Sequence, residues 1–244
     1  MRITKDTHQV LINNKTEEFL DKAASFLSSR FETLTLSRGI TNSILKESVY
    51  QCYLWTELHS YPSQLFAVRI ACARLCFGSF FMEDIRYTAL RDIVGEHLRT
   101  HKISDEDRIY DYIVTHQADW QTDWFSEHQP LTSKLCAVRN SIPHTAPESS
   151  SAGAVFMQLY ATEQRSSFSL TEENRQNIFQ QLMSSTRYPD SSEHLRLLLA
   201  IAQYYDGFRC FDDPLRPRWS GLLAPQNRQH LSWQLQDIFS TDRQ

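Results

Sequence analysis

The chain has 244 residues and a mass of 28.6 kDa, with 41% apolar and 22% charged residues and a formal net charge of −4. That length suits one large or two small domains with a sizeable core, and the balance excludes both an intrinsically disordered chain and a uniformly basic nucleic-acid coat protein. Only 6 Gly and 8 Pro punctuate the sequence, too few for the turns of many short strands, so an all-α fold is expected.

No apolar run approaches the roughly 18 residues of a membrane-spanning helix, and Met1-Arg2-Ile3-Thr4-Lys5-Asp6 has no apolar core of the signal-peptide kind. A soluble, cytoplasmic protein without membrane partners is expected. The five cysteines, Cys52, Cys72, Cys76, Cys136 and Cys210, are odd in number and mostly set in apolar helical segments, which reads as buried reduced thiols.

In chain order, Thr16 followed by Glu17 and Glu18 predicts a helix start, and Phe19, Leu20, Ala23, Phe26 and Leu27 give it one apolar stripe. Two short segments follow, around 34–37 and 44–50, separated by Thr41-Asn42-Ser43, whose side chains compete with the helix backbone for hydrogen bonds. After Pro62, the run from Leu65 to Met82 is apolar on more than one face and predicts a central, much-buried helix. Helices are expected over 87–101 and over 104–116, the latter opened by the capping box Ser104-x-x-Asp107. Residues 140–152, with two Pro and a Ser cluster, read as a linker. Beyond it, helical periodicity returns at 154–164, 171–184, 191–211 and 226–239, and there is no internal repeat.

The first part of this pattern is that of a helix-turn-helix, in which a buried apolar set holds a second helix while its polar residues meet base edges. Ile44, Val49 and Tyr53 form the candidate buried set, and Lys46, Glu47, Ser48 and Gln51 the exposed one. On Phe31-Glu32-Thr33-Leu34-Thr35-Leu36, Ile44 to Tyr53 and Ser63-Gln64-Leu65-Phe66, residues 16–68 resemble the TetR family of bacterial transcriptional regulators. The resemblance implies a DNA-binding domain over 1–60 on a helical ligand-binding and dimerisation domain over 61–244. It nominates Thr35, Lys46, Ser48, Tyr50 and Tyr53 for DNA contact, a palindromic operator as partner and a homodimer as the working form; Arg38 joins them as a cation expected on one face with Arg30 and Lys46. Residues 1–66 carry seven basic and seven acidic side chains, so any phosphate-binding face must be local.

The aromatic clusters Trp120-x-x-x-Trp124 and Tyr204-x-x-x-Phe208 are the candidate lining for a small apolar ligand, since such ligands settle between helices. Trp219 and Trp233 suit a subunit interface. His97 and His101 stand four apart beside Glu96, a spacing that can face a metal, but no Glu-x-x-His pair on two helices accompanies them. No phosphate loop, nucleophile elbow or catalytic triad pattern is present, so neither an enzyme nor a cofactor is expected. Two further readings stand beside the regulator: a helical adaptor or chaperone that binds protein without nucleic acid, and a helical metal-dependent enzyme.

Overall fold

The computed structural model describes residues 5–121, 172–184, 193–220 and 222. Among them every regular element is helical, as the composition predicts. The elements are α1 (Lys5–Arg30), α2 (Glu32–Arg38), α3 (Asn42–Leu58), α4 (Gln64–Phe77), α5 (Thr88–Thr100), α6 (Ile103–Thr115), α7 (Gln117–Trp120), α8 (Glu172–Ser184) and α9 (Glu193–Asp206). The expected linker at 140–152, the helices at 154–164 and 226–239, and the residues Trp124, Cys136 and Trp233 lie outside the described residues. No described helix is long and apolar enough to cross a membrane.

Helix α1 begins well before Thr16. Nothing between Lys5 and Lys15 is Gly or Pro, so no residue there forces a break, and Thr16 to Glu18 lie in mid-helix rather than at a cap. Leu20, Ala23, Ala24 and Leu27 face the core, while Phe26, expected on the same stripe, is 44% exposed.

The turn after α2 also sits earlier than Thr41-Asn42-Ser43. Gly39 takes the left-handed conformation, φ 67°, and the Ile40 amide reaches back to the Thr35 carbonyl at 2.8 Å, a Schellman closure with Ile40 as its buried anchor. Thr41 then caps α3, its hydroxyl accepting from the Ile44 amide at 3.4 Å. Asn42 and Ser43 form the first turn of α3.

Helix α3 packs against α1 and α4, and α4 against α6. Helix α4 is central because both flanks are apolar: Phe66, Ile70, Leu75 and Phe77 fill its neighbours, and Ala67, Ala71 and Ala73 let them come close. Each such fully buried Leu or Phe contributes about 1.5–3 kcal/mol. One apolar cluster runs from Leu20 through Ile113 and takes in Leu215, and the expected boundary at 60/61 falls in the turn between α3 and α4. The capping box expected at Ser104 is not formed. Lys102 is the N-cap of α6, and Thr100 donates to Asp105 Oδ2 at 2.8 Å, a bond that ties the end of α5 to the start of α6.

Helix α4 ends at Phe77, five residues short of the predicted Met82, with Gly78 after it, and α9 ends at Asp206, just before Gly207. The two glycines, φ 99° and 108°, stand back to back, and a Cβ on Gly207 would lie 2.9 Å from the Phe77 carbonyl oxygen. Around them Arg216 donates to the carbonyls of Leu75, Cys76 and Asp206. Arg86, paired with Asp84 at 2.5 Å, donates to those of Gln203 and Tyr204. Asp213 accepts from the Ser79 amide at 2.8 Å and from its hydroxyl at 2.5 Å.

Gly207→Ala is expected to lower stability by about 2–4 kcal/mol, through a disfavoured φ and a backbone clash together. Gly95→Ala, on α5 with open space around the added methyl, is expected to be neutral or stabilising by comparison. Urea midpoints of the two variants check both.

Candidate functional site

The residues expected to read DNA are divided by the fold. Thr35 and Ser48 are each only 3% exposed. The Thr35 hydroxyl donates back to the Glu32 carbonyl at 3.0 Å. Arg38 donates to the Leu75 carbonyl at 2.7 Å and so helps to close the end of α4. Tyr53 is half-buried against Phe19, ring centroids 6.0 Å apart. Of the six, Lys46, Tyr50 and Tyr53 meet in one place, a groove of about 620 Å³ between α1 and α3.

Its charge is set by helical spacing. Glu17 and Asp21, one turn apart on α1, both reach the Lys46 ammonium, each at 2.7 Å. The hydrogen bonds from Asp21 and Glu17 hold Lys46 above its ordinary value, so it stays charged and engaged. Glu47 and Glu57 complete the rim, while Leu20, Tyr50, Tyr53 and Leu54 supply an apolar, aromatic floor. Burial and the Glu57 carboxylate push the Tyr53 hydroxyl up, which keeps it a neutral donor. Three carboxylates thus line the groove beside one ammonium, which Glu17 and Asp21 already hold.

The expected ligand residues are divided as well. Trp120 packs edge-on to Phe31, centroids 5.3 Å apart, beside a small pocket between the α1–α2 junction and α6–α7. Tyr204 and Phe208 are buried at the end of α9, where Arg86 takes the Tyr204 carbonyl. They do not meet Trp120. Trp219 is fully buried, its indole N–H on Asp206.

His97 and His101 part company too. His97 is wholly buried, its Nδ1 3.0 Å from the Lys102 carbonyl, which can only accept, so Nδ1 carries a proton. Its Nε2 lies 3.4 Å from Glu106 Oε1, the oxygen that also accepts from the Tyr61 hydroxyl at 3.2 Å. His101 is exposed on the outer side, its ring 4.7 Å from that of Tyr61. Among the described residues no three His, Cys, Asp or Glu side chains gather as a metal would need. Glu106 is the partner that sequence spacing missed; it stands one turn into the next helix, and the α5–α6 turn alone brings it to His97.

Cys52, Cys72, Cys76 and Cys210 are buried and free. Burial pushes the Cys72 thiol up to about 12 and those of Cys76 and Cys210 well above the usual range. Thiolate is the reactive form, so these four are expected to resist iodoacetamide at pH 8 in the native protein and to react fully in denaturant, as peptide mass mapping would show. His97→Ala leaves the Lys102 carbonyl without its ring partner, Glu106 without its neighbour and a void among Tyr61 and Phe66. A loss of about 3 kcal/mol is expected from those effects together, read from a denaturation midpoint.

No protein-family model matches the chain, and no curated protein or solved structure matches it.

Proposed function

We propose that the protein is a helical interaction module that receives a basic, amphipathic segment of another protein in the groove between α1 and α3. One observation supports this above the rest: Glu17, Glu47 and Glu57 line the groove beside a single ammonium, Lys46, which Glu17 and Asp21 hold, over a floor of Leu20, Tyr50, Tyr53 and Leu54. An amphipathic helix with leucines at one-turn spacing and lysines beside them would lay its apolar face on that floor and its cations on the rim. A nucleic-acid backbone would bring further negative charge to the same rim, and each phosphate contact requires a cation.

A second reading, a DNA-binding regulator of TetR type, is favoured by the left-handed Gly39 turn into the Thr41-capped helix, which leaves Asn42 and Ser43 exposed at the start of α3. A palindromic operator, a homodimer and a small apolar effector belong to that reading.

One substitution moves the two readings in opposite directions. Lys46→Ala removes a competing cation from the groove and is expected to tighten binding of a fluorescein-labelled Leu/Lys amphipathic peptide by about threefold or more, measured by anisotropy. Glu47→Lys with Glu57→Lys is expected to weaken it by about tenfold, and raised salt to weaken it further. For the regulator, Lys46→Ala instead abolishes retention of a genomic DNA fragment at low salt. A Leu/Glu peptide bound as tightly as the Leu/Lys one would overturn the interaction-module reading.

A further inference from the structure

The free negative charge of the α1–α3 groove is concentrated at two points. On α3 the lining falls at Ser43, Glu47, Tyr50, Leu54 and Glu57, three or four positions apart, which is one stripe along the helix. Glu47 and Glu57 stand toward opposite ends of that stripe. At about 1.5 Å of rise per residue, the two are about 15 Å apart along the axis. Tyr50 and Leu54 lie between them and keep part of their surface open.

Neither glutamate is neutralised. Gln51 donates to Glu47 Oε1 at 2.7 Å, and the Tyr53 hydroxyl donates to Glu57. Both donors are neutral, and among the described residues no cation forms an ion pair with either carboxylate. Each is therefore held in position with its charge intact. Glu17, on the facing helix, is by contrast already paired with Lys46 at 2.7 Å.

We propose that the helix received by this groove carries two cations three turns apart, with apolar residues one and two turns in from the first. Residues i, i+4, i+7 and i+11 lie on one face of a helix, and three turns rise about 16 Å. One cation then meets Glu47, the other meets Glu57, and the apolar pair lies on Tyr50 and Leu54. The spacing reads the same in both directions, so it serves a parallel or an antiparallel partner. Cations two turns apart would leave one of them over Leu54, and cations four turns apart would carry one past Leu58, where α3 stops. The inference rests on the reading of the groove as a site for a basic amphipathic helix, and it sets the charge spacing of that helix.

The test titrates the full chain with three fluorescein-labelled, Ala-rich peptides of identical composition, each with two leucines, and with two lysines placed two, three or four turns apart. Circular dichroism verifies that the three are equally helical, and anisotropy reads binding. The three-turn peptide is expected to bind about threefold more tightly than either of the others, the scale of one exposed ion pair. For that peptide, Glu47→Gln and Glu57→Gln are each expected to weaken binding by about threefold. Replacing one of its lysines by glutamine is expected to erase the effect of one of these variants and leave the effect of the other. Both glutamates are exposed, so the variants are expected to keep the fold. Equal binding of the three peptides, or lysine and glutamate substitutions whose effects simply add, would overturn the spacing while the groove still takes a basic helix. Binding by none of them would overturn the reading of the groove and the spacing with it.

Discussion

Helix α9 ends inside the protein, where water cannot reach its last carbonyls, and two arginines from distant parts of the chain take them instead. Arg86 takes Gln203 and Tyr204; Arg216 takes Asp206, and with its other nitrogens the end of α4. A helix C-terminus carries partial negative charge and unpaired acceptors, so a buried guanidinium there satisfies both needs at once. The same two helix ends nearly touch for Arg216 to serve both, so a Cβ at 207 would press on the Phe77 carbonyl oxygen, while the positive φ at both 78 and 207 favours glycine. Asp84 balances Arg86 at 2.5 Å within the core. Removing one member of such a set leaves a buried charge or carbonyl without its partner, a loss of about 3–5 kcal/mol for a broken pair.

The groove between α1 and α3 has a different character. Helix α2, a left-handed glycine and a capped α3 follow one another along its edge. Helix α1 is long enough to lie along α3 and present two carboxylates to its one lysine. A surface meant for phosphate needs cations held away from carboxylates. Here the lysine is drawn down between them, and the surface that remains is acidic and aromatic.

Fold class, the central position of α4 and the buried character of the cysteines were legible in the sequence because each follows from composition or from spacing along one helix. Helix ends were less so. Thr16 and Ser104 are good capping residues that the structure passes through, since a cap acts only where the chain has a reason to turn. Gly39 and Gly78, which do end helices, were visible as residues, and weighting the scarce glycines more heavily would have moved both boundaries correctly. Sites built across helices were the least legible. Lys46 could be recognised as a cation on a polar face, but nothing in its neighbours along the chain announced Glu17 or Asp21. In the same way Glu106 beside His97, and Arg30 beside Tyr110, exist only once two helices have met.

The long-range bonds of the clasp at the end of α9 join residues separated by 117 to 141 positions. Loop closure over such a span adds little to the equilibrium cost, because that cost grows only with the logarithm of length. Its effect is on order in time. During synthesis α1 to α6 leave the ribosome and can pack through local contacts, while the carbonyl of Cys76 and the Asp84–Arg86 pair wait for partners not yet made. Long-range contacts of this kind form slowly. Until residues 203–219 arrive, the nascent bundle carries one unfinished end, so the last polar bonds of the core also report that this late segment has been made and docked.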